Sequence, residues 1–278
     1  MKISLIMATI GKVDVIDRFC RFLTQQSYDN YELIVVDQNT DGRLDEILNK
    51  YTSLFKIIHL FSSPGLSKAR NVGLHHSTGD IIAFPDDDCW YSSGLLKDVI
   101  DIFNKEMLEG ITGRLDSKGM GRFDKVEGLV NKFNVWERAI SVSIFLKKQV
   151  IDSIGLFNEN LGLGAKSLMQ SGEETDYIIR CIEKGFKIKY FPKLIINHPE
   201  SITDFNDIST YQRAYKYGIG CGFVLKQHNY PILIKAKFLI RPVLGAMLAL
   251  SMNKKGLAKY RCSSFLGRAK GLWGISIK

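Results

Sequence analysis

The stretch GDIIAFPDDDCW, residues 79–90, indicates an α/β fold and places a row of carboxylates at the end of a buried strand. The apolar run Asp80–Phe84 is short and is bounded by glycine and proline, as is typical of a buried strand. Asp86, Asp87 and Asp88 follow at once. Because ligands of open α/β sheets bind beyond the carboxyl ends of the strands, this row is a candidate site.

Short apolar runs alternate with longer amphipathic ones around this stretch. Strands are predicted at Ile3–Ala8, Glu32–Asp37, Lys56–Leu60 and Asp80–Phe84, and helices at Val13–Gln26, Leu44–Tyr51, Ser67–His76 and Gly94–Asn104. This alternation implies right-handed crossovers and helices on both faces of the sheet. The predicted fold class is therefore α/β, with a mostly parallel, Rossmann-like sheet.

Between residues 110 and 200 the pattern is less regular. Strands are predicted at Ile111–Leu115, Ala139–Lys147 and Phe186–Phe191, helices at Lys148–Ile154 and Glu173–Lys184, and an irregular excursion at Gly119–Val135. The loop Leu161–Gly172 contains three glycines, and such backbone freedom is typical of a segment that closes over a ligand.

The composition is that of one large α/β unit, with 278 residues of which 45% are hydrophobic and 24% charged. The five cysteines are widely spaced and form no C-x-x-C pair. This spacing excludes a disulfide scaffold or zinc ribbon and fits a reducing compartment. The apolar run in residues 1–12 is too short for a signal peptide and predicts a strand.

Charge is distributed unevenly along the chain. Asp207 is the last acidic residue, and thirteen Lys and Arg follow it. Residues 231–250 are long enough to span a bilayer, yet they include Lys235, Lys237 and Arg241, each costing about 2.5–3.5 kcal/mol at a membrane centre. The pattern favours a helix lying on a membrane surface. A helix packed on the body is the alternative, and nucleic-acid binding is the least favoured.

The carboxylate row suggests a divalent cation. Alternate residues of an extended segment point the same way, so Asp86 and Asp88 can converge while Asp87 faces elsewhere. Oxygen ligands of this kind suit Mg²⁺ or Mn²⁺, although a solvated acidic turn is the simpler alternative. His198, which follows the apolar run 194–196, is a further candidate for a metal or phosphate contact.

Two other clusters carry side chains suited to catalysis or ligand binding. Residues 172–176 (GEETD) begin a predicted helix, where general-base chemistry and simple stabilisation of the helix dipole are both open. Residues 65–71 (GLSKARN) join a glycine turn to two cations and suit a phosphate or nucleobase, or only a solvated helix start. By contrast, residues 218–222 (GIGCG) lack the preceding strand and spacing of a dinucleotide fingerprint.

The order and spacing of these segments resemble family 2 of the inverting glycosyltransferases, which have the GT-A fold. The landmarks are ISLIMATIG (3–11), ELIVVDQNTDG (32–42), GLSKARNVGL (65–74), GDIIAFPDDDCW (79–90) and GEETDYIIRCIEKGFKI (172–188). The resemblance implies a GT-A catalytic domain at 1–207, with a nucleotide-sugar-binding half (1–115) and an acceptor-side half (116–207). A basic, amphipathic helical region follows at 208–278.

The resemblance also implies roles for residues on the donor side. Those implied to bind the nucleotide sugar are Thr9, Asp37, Gly65, Lys68, Arg70, Asp86 and Asp87. Asp86 and Asp88 match the D-x-D pair of the family. Together with His198 they are the predicted ligands of Mn²⁺ or Mg²⁺.

On the acceptor side, Glu174 takes the place of the catalytic base. The family commonly has Gly-Glu-Asp there, whereas this chain has Gly172-Glu173-Glu174. Glu173 and Asp176 are therefore alternatives for the base, and both are predicted acceptor-side residues. Trp90 is a third, since it could stack on a sugar face or serve as a core aromatic.

The function implied by the resemblance is metal-dependent, inverting transfer of a sugar, with a UDP-sugar as donor and a saccharide or polyprenyl-linked acceptor, in surface-polysaccharide synthesis. The enzyme would be cytoplasmic and peripheral at the inner membrane face, held there by its C-terminal region, without nucleic acid. The alternatives are a sugar nucleotidyltransferase and an inactive carbohydrate- or lipid-binding module on the same fold.

Overall fold

The computed structural model describes residues 1–116, 123–200 and 203–274. The chain divides into two compact units: the first comprises residues 1–64, 68–157 and 177–201, and the second comprises residues 65–67, 158–176 and 202–278. Residues 119–122 of the predicted excursion lie outside the described residues. The domain boundary at residue 207 stays a prediction.

The described strands belong to the first unit and form one sheet of eight strands. They are β1 (Ile3–Thr9), β2 (Tyr31–Asp37), β3 (Lys56–Phe61), β4 (Ile81–Ala83), β5 (Gly110–Asp116), β6 (Gly128–Leu129), β7 (Ile144–Lys147) and β8 (Ile188–Asn197). Their order in the sheet is β3-β2-β1-β4-β7-β5-β8-β6. The predicted mostly parallel sheet is confirmed: the first four strands pair in parallel, as do β5 and β8, whereas β6 and β7 are antiparallel to their neighbours.

Strands β1 and β2 form the centre of the buried core. Nearly every residue of ISLIMAT and YELIVVD is buried, as expected of strands that are covered on both faces. Their parallel register pairs Thr9 with Asp37, so the two strands end level with each other. Two predicted donor-binding residues therefore lie side by side at the carboxyl edge of the sheet.

Within the described ranges, seven helices connect or follow these strands. They are α1 (Asp14–Leu23), α2 (Asp45–Asn49), α3 (Leu66–His76), α4 (Leu95–Lys105), α5 (Val135–Arg138), α6 (Lys148–Ile154) and α7 (Glu173–Glu183). Helix α1 shows why they form: its acidic residues Asp14 and Asp17 lie in the first turn and Arg21 lies in the last, which suits the helix dipole. Its apolar residues repeat at helical spacing and are buried.

The predicted strand Ala139–Lys147 is wrong over its first half. Residues Ser141–Ser143 form a short 3₁₀ helix, and β7 begins only at Ile144. The Ser143 hydroxyl donates to the Ile140 carbonyl at 2.9 Å. Serine side chains that bond to nearby backbone compete with a strand ladder, and the apolar pattern of the segment conceals this.

Three long helices dominate the second unit: α8 (Ile208–Gln227), α9 (Ile232–Ser251) and α10 (Lys255–Trp273). Asp207 caps α8, because its carboxylate accepts from the Ser209 N–H at 2.9 Å. Glycines bring α8 and α10 into backbone contact, and a Cβ on Gly267 would lie only 2.0 Å from the Tyr215 carbonyl oxygen. In the described part of the chain, none of the helices combines the length and apolarity needed to cross a bilayer.

Candidate functional site

The predicted site residues fall into two groups, one in each unit. The first unit contains Thr9, Asp37, Lys68, Arg70, Asp86, Asp87, Asp88, Trp90 and His198. The second unit contains Gly65, Glu173, Glu174 and Asp176.

Asp86, the first aspartate of the row, is held beside β1 by a strand-like bridge, but the extended run predicted for residues 86–88 is wrong: Asp87 and Asp88 form a turn, in which the Cys89 N–H donates to the Asp86 carbonyl. Asp86 forms an isolated parallel bridge with Ala8 of β1. Its carboxylate accepts from Arg70 Nη2 at 3.3 Å. The Arg70 side chain, on α3, is 1% exposed, and its guanidinium lies 5.8 Å and 5.6 Å from the ring centres of Phe84 and Phe157. Arg70 thus contacts the row as a buried cation.

Asp87 turns towards β1. The Thr9 hydroxyl donates to its carboxylate at 2.8 Å. Burial raises the pKa of Asp87, and the hydrogen bond from Thr9 opposes this shift only in part. Two predicted donor-binding residues therefore meet side chain to side chain, at the ends of β1 and β4.

Asp88 pairs with His198, the residue after β8. His198 Nε2 lies 3.0 Å from Asp88 Oδ1, and both side chains keep some exposure to solvent. The hydrogen bond from His198 lowers the pKa of Asp88, and the same bond raises the pKa of His198. A backbone bridge between Trp90 and Asn197 brings their two chain segments together.

The chemistry of this pair fits a divalent cation. Mn²⁺ accepts both carboxylate and imidazole, and such ions complete their coordination with water and substrate phosphates. Asp86, the other predicted carboxylate ligand, is bonded to Arg70 instead. Among the described residues, no three His, Cys, Asp or Glu side chains are grouped to hold a metal. Asp88 and His198 are thus the side chains that could hold such an ion.

Asp37 is completely buried at the end of β2. Its carboxylate accepts from the backbone N–H of Asn39 at 2.8 Å and from the Asn39 side-chain amide at 2.7 Å, and His59 Nε2 of β3 lies 3.2 Å away. Sequence reasoning missed Asn39 and His59. The position of Asn39 two residues after a strand end is a signal that could have found it, because Asx side chains bond there.

Trp90 stacks on Phe22, with the ring centres 5.9 Å apart, and the Arg18 guanidinium lies 4.7 Å from the Trp90 ring centre. Arg18 also donates to the Asp88 carbonyl at 2.5 Å. Arg18, on α1, was missed as well, because nothing local distinguishes it from a solvated arginine. Trp90 keeps a partly exposed surface, and its acceptor-side role stays a prediction.

The segment Gly65-Leu66-Ser67 belongs to the second unit. Gly65 has a φ of +140°, a conformation that favours glycine. The Ser67 hydroxyl donates to the Leu161 carbonyl at 2.7 Å, which joins this turn to the glycine-rich loop. In the first unit, the exposed Lys68 ammonium donates to the Ser63 hydroxyl at 2.7 Å.

The acidic residues at the start of α7 occupy different environments. Glu173 is 5% exposed and Asp176 is 4% exposed, whereas Glu174 is only half-buried. His228, which follows α8, places its Nε2 2.9 Å from Asp176 Oδ1. A Cβ on Gly162 would lie 3.1 Å from the Glu173 carboxyl carbon, so Glu173 packs against the glycine-rich loop. Of the three carboxylates, Glu174 is the most accessible.

An arginine and a tyrosine of α8 complete this group. The Arg213 guanidinium lies 4.9 Å from the Tyr217 ring centre. Burial raises the pKa of Tyr217, and the charges of Glu173 and Glu174 raise it further, while Arg213 opposes them. Tyr217 therefore lies within the electrostatic reach of both glutamates, and sequence reasoning missed it because α8 is remote from α7 along the chain.

Known protein families provide an independent comparison. The model of the family described as Glycosyl transferase family 2 matches residues 4–154. Glycosyltransferase AglE of Haloferax volcanii is 21% identical over 71% of this chain and 66% of its own length. A pre-mycofactocin glycosyltransferase of Mycobacterium tuberculosis is 26% identical over 60% of this chain and 37% of its own. The matches thus span less than two thirds of these relatives.

Solved structures show the same architecture. The structure of S. aureus TarS 1–349 in complex with UDP-GlcNAc has a TM-score of 0.65 at 15% identity, covering 95% of this chain and 90% of that one. The mannosyltransferase PcManGT from Pyrobaculum calidifontis, in complex with GDP-Man and Mn²⁺, has a TM-score of 0.62 at 14% identity, covering 98% and 87%. At these identities the likeness concerns the fold, which is of the GT-A type.

Proposed function

The chain belongs to glycosyltransferase family 2, and on that premise we propose that it transfers a sugar, with inversion, from a nucleoside diphosphate sugar to an acceptor hydroxyl. The main support for this proposal is the aspartate row at the end of β4, where Asp88 Oδ1 lies 3.0 Å from His198 Nε2. Uridine is the proposed base. A saccharide or polyprenyl-linked molecule is the proposed acceptor, in surface-polysaccharide synthesis.

The donor would lie at the carboxyl edge of the sheet. Thr9 and Asp37 end neighbouring strands in register, and they are the proposed contacts of the nucleoside. Asp88 and His198 would hold Mn²⁺ or Mg²⁺, which supplies positive charge to the departing diphosphate. Arg70, held against Asp86, adds a buried cation next to the row.

Glu174 is the proposed general base. It would accept the proton of the acceptor hydroxyl while that oxygen forms a bond to the anomeric carbon and the bond from that carbon to the diphosphate breaks. A single displacement of this kind inverts the anomeric configuration. The exposure of Glu174 supports this choice, because Glu173 packs against the loop and Asp176 is bonded to His228.

The test is a set of matched isosteric substitutions. We expect Glu174→Gln to lower kcat by about 10²–10⁴-fold, because a general base contributes that much, with the donor Kd changed less than about twofold. Glu173→Gln and Asp176→Asn are the matched controls and should keep a higher kcat. The assays are release of nucleoside diphosphate and calorimetric donor binding. A Glu174→Gln enzyme that kept most of its activity would move the base to another carboxylate.

The same assay separates this function from the two alternatives. Purified protein is incubated with a panel of nucleotide sugars, acceptor lipid extract and Mn²⁺. Nucleoside diphosphate release is the expected product. Release of pyrophosphate would instead identify a nucleotidyltransferase, and donor binding without turnover across the panel would identify a binding module.

We further propose that α9 lies on an anionic membrane surface, which would make the enzyme peripheral at the inner face. Helix α9 buries small residues, Pro242, Ala246 and Ala249. Seven of its larger apolar residues are exposed, namely Ile232, Leu233, Ile240, Leu244, Met247, Leu248 and Leu250. This is the reverse of a helix packed on a protein core. Most of the exposed set recurs at helical spacing on one face, and the flanking charges of the region are all cationic.

Vesicle binding tests this surface. We expect the protein to sediment with vesicles of phosphatidylcholine and phosphatidylglycerol, less so with phosphatidylcholine alone, and less at high salt. The double variant Leu244→Glu/Met247→Glu should bind at least about tenfold more weakly, since two apolar side chains are withdrawn. The matched control is Met107→Glu, because Met107 is an exposed methionine of the first unit. Equal binding by the double variant and the control would remove α9 from this role.

A further inference from the structure

We propose that α8 positions Glu174 by holding the first turn of α7 on both sides of it, with Gly220 and His228 as the positioning residues. This inference rests on the proposed function, since it takes Glu174 to be the general base. It also gives a role to the residues 218–222, GIGCG, which do not form a dinucleotide site.

On the N-terminal side of Glu174, the backbone itself touches α8. A Cβ on Gly220 would lie 2.2 Å from the Ser171 carbonyl oxygen and 2.7 Å from its hydroxyl oxygen, so no side chain fits there. The Ser171 hydroxyl donates to the Tyr217 carbonyl at 2.9 Å, about one turn earlier on the same helix. Gly172 has a φ of +93°, and a Cβ placed on it would lie 2.9 Å from Val224, one turn later. Three successive turns of α8 therefore fix the two residues before α7.

On the C-terminal side, a buried side-chain hydrogen bond holds the same turn. His228 Nε2 lies 2.9 Å from Asp176 Oδ1, and the two side chains are 5% and 6% exposed. The Asp176 N–H in turn donates to the Gly172 carbonyl at 2.9 Å, closing the first turn of α7. Glu174 lies between these two attachments. A shift of either one would rotate or translate its carboxylate relative to an acceptor hydroxyl, and misplacement by 1 Å can cost about 10²-fold in rate.

The other glycines of the motif serve a different contact. Residues two apart on a helix project about 200° apart, so Gly218 and Gly222 face away from Gly220. A Cβ on Gly218 would lie 2.6 Å from the Ser264 carbonyl oxygen, and one on Gly222 would lie 2.2 Å from the Arg268 carbonyl oxygen, both on α10. Gly218→Ala is therefore a matched control: the same helix, the same substitution and a similar clash, but on the face turned to α10.

The first experiment compares Gly220→Ala with Gly218→Ala in the chain of 278 residues. We expect Gly220→Ala to lower kcat at least tenfold while the donor KM stays within twofold, because only the base is displaced. We expect Gly218→Ala to lower thermal stability but to keep kcat within twofold at temperatures where it is folded. Equal kcat losses in the two variants, or no loss in Gly220→Ala, would overturn the proposal.

The second experiment tests His228 by conservative rescue. His228→Gln keeps a donor for the Asp176 carboxylate, whereas His228→Leu leaves that buried carboxylate without this bond. We expect His228→Leu to lower kcat at least tenfold with the donor KM within twofold, and His228→Gln to recover most of the loss. Equal activity of the two variants would show that the hydrogen bond does not position the base.

A third measurement separates failure of this inference from failure of the proposed function. Hydrogen exchange of the backbone amides in residues 173–177 reports the first turn of α7 whether or not turnover is detected. We expect faster exchange there in Gly220→Ala and His228→Leu than in Gly218→Ala. If the wild-type enzyme turns over and Glu174→Gln turns over equally fast, the assignment of Glu174 as the base is refuted, but the role of α8 is not. If exchange is unchanged in all variants, the proposal that α8 holds the first turn of α7 is refuted.

Discussion

Substitution of Glu32 by glutamine should destabilise the first unit strongly and in a pH-dependent way. The Glu32 side chain is completely buried near the start of β2. Its carboxylate accepts from the Lys2 ammonium at 2.6 Å, the Lys56 ammonium at 2.8 Å, the Ser4 hydroxyl at 2.7 Å and the Thr78 N–H at 2.9 Å. These donors come from the segments that begin β1, β3 and β4, so one carboxylate joins four parallel strands.

The magnitude follows from what glutamine can replace. Its carbonyl oxygen can still accept from Ser4 and Thr78, but its amide N–H groups would face the two ammonium groups. Hydrogen bonds to charged groups contribute about 1.5–3 kcal/mol each, and the 26% and 55% exposure of Lys2 and Lys56 reduces their share by solvent screening. We therefore expect Glu32→Gln to lower the free energy of unfolding by about 2–4 kcal/mol at neutral pH.

The pH dependence has a definite sign. Burial alone would raise the pKa of Glu32, but the hydrogen bonds from Lys2, Lys56, Ser4 and Thr78 outweigh it and lower the pKa. Because the folded-state pKa lies below the unfolded value of about 4.3, the stabilisation is complete above that value and is lost as the pH falls through the folded pKa. The difference between wild type and Glu32→Gln should therefore shrink below about pH 4.

Urea unfolding at pH 7 and at pH 3.5 measures this difference, and Asp101→Asn is the control. Asp101 makes an exposed ion pair with Lys97 at 3.0 Å, so the same change of carboxylate to amide should cost less than about 0.5 kcal/mol. A cost for Glu32→Gln no greater than that of the control, or one equal at both pH values, would refute the reasoning.

Two more predictions concern packing and metal removal. Gly73→Ala should lower the free energy of unfolding, measured in urea, by about 1–3 kcal/mol, because its Cβ would lie 2.3 Å from Ile6 Cγ2. Gly94→Ala is the control: the nearest atom to its Cβ would lie 4.0 Å away, so the free energy of unfolding should change by less than about 1 kcal/mol. EDTA should abolish sugar transfer and added Mn²⁺ should restore it. The variants Asp88→Asn and His198→Gln should each need more Mn²⁺ than the wild type to reach the half-maximal rate. Full activity in EDTA would contradict this prediction.

Local patterns predict much of the fold of the first unit. The first four strands and the helices between them follow from apolar runs of 4–8 residues alternating with helical spacing, and the structure confirms them to within a few residues at each end. The position of the aspartate row at a strand end follows from the same pattern. The strand predicted to begin at Ala139 fails because hydroxyl groups such as that of Ser143 bond to nearby backbone, which a hydrophobicity pattern does not detect.

Contacts between distant segments are the part that periodicity cannot predict. Nothing near Asp88 in the sequence identifies Arg18 as the donor to its carbonyl, and nothing near Asp176 identifies His228. Such pairs depend on strand order and helix packing, which are set by the whole chain. The glycines of residues 218–222 illustrate the limit: their spacing excludes a dinucleotide site, but only the structure gives each glycine its neighbour.

The two edges of the parallel sheet separate stability from chemistry. Parallel strands begin at one edge and end at the other. A charged residue at one edge therefore contacts groups at that edge and not those at the other. At the amino edge Glu32 is fully satisfied by protein donors, whereas at the carboxyl edge the Asp88 and His198 side chains are partly exposed to solvent. Glu32→Gln should consequently lower the folded fraction but leave kcat per folded molecule unchanged. Asp88→Asn should lower kcat per folded molecule but leave the folded fraction unchanged. Kinetics normalised to the folded fraction measured by near-ultraviolet circular dichroism would decide this, and a kcat lowered equally by both substitutions would refute the separation.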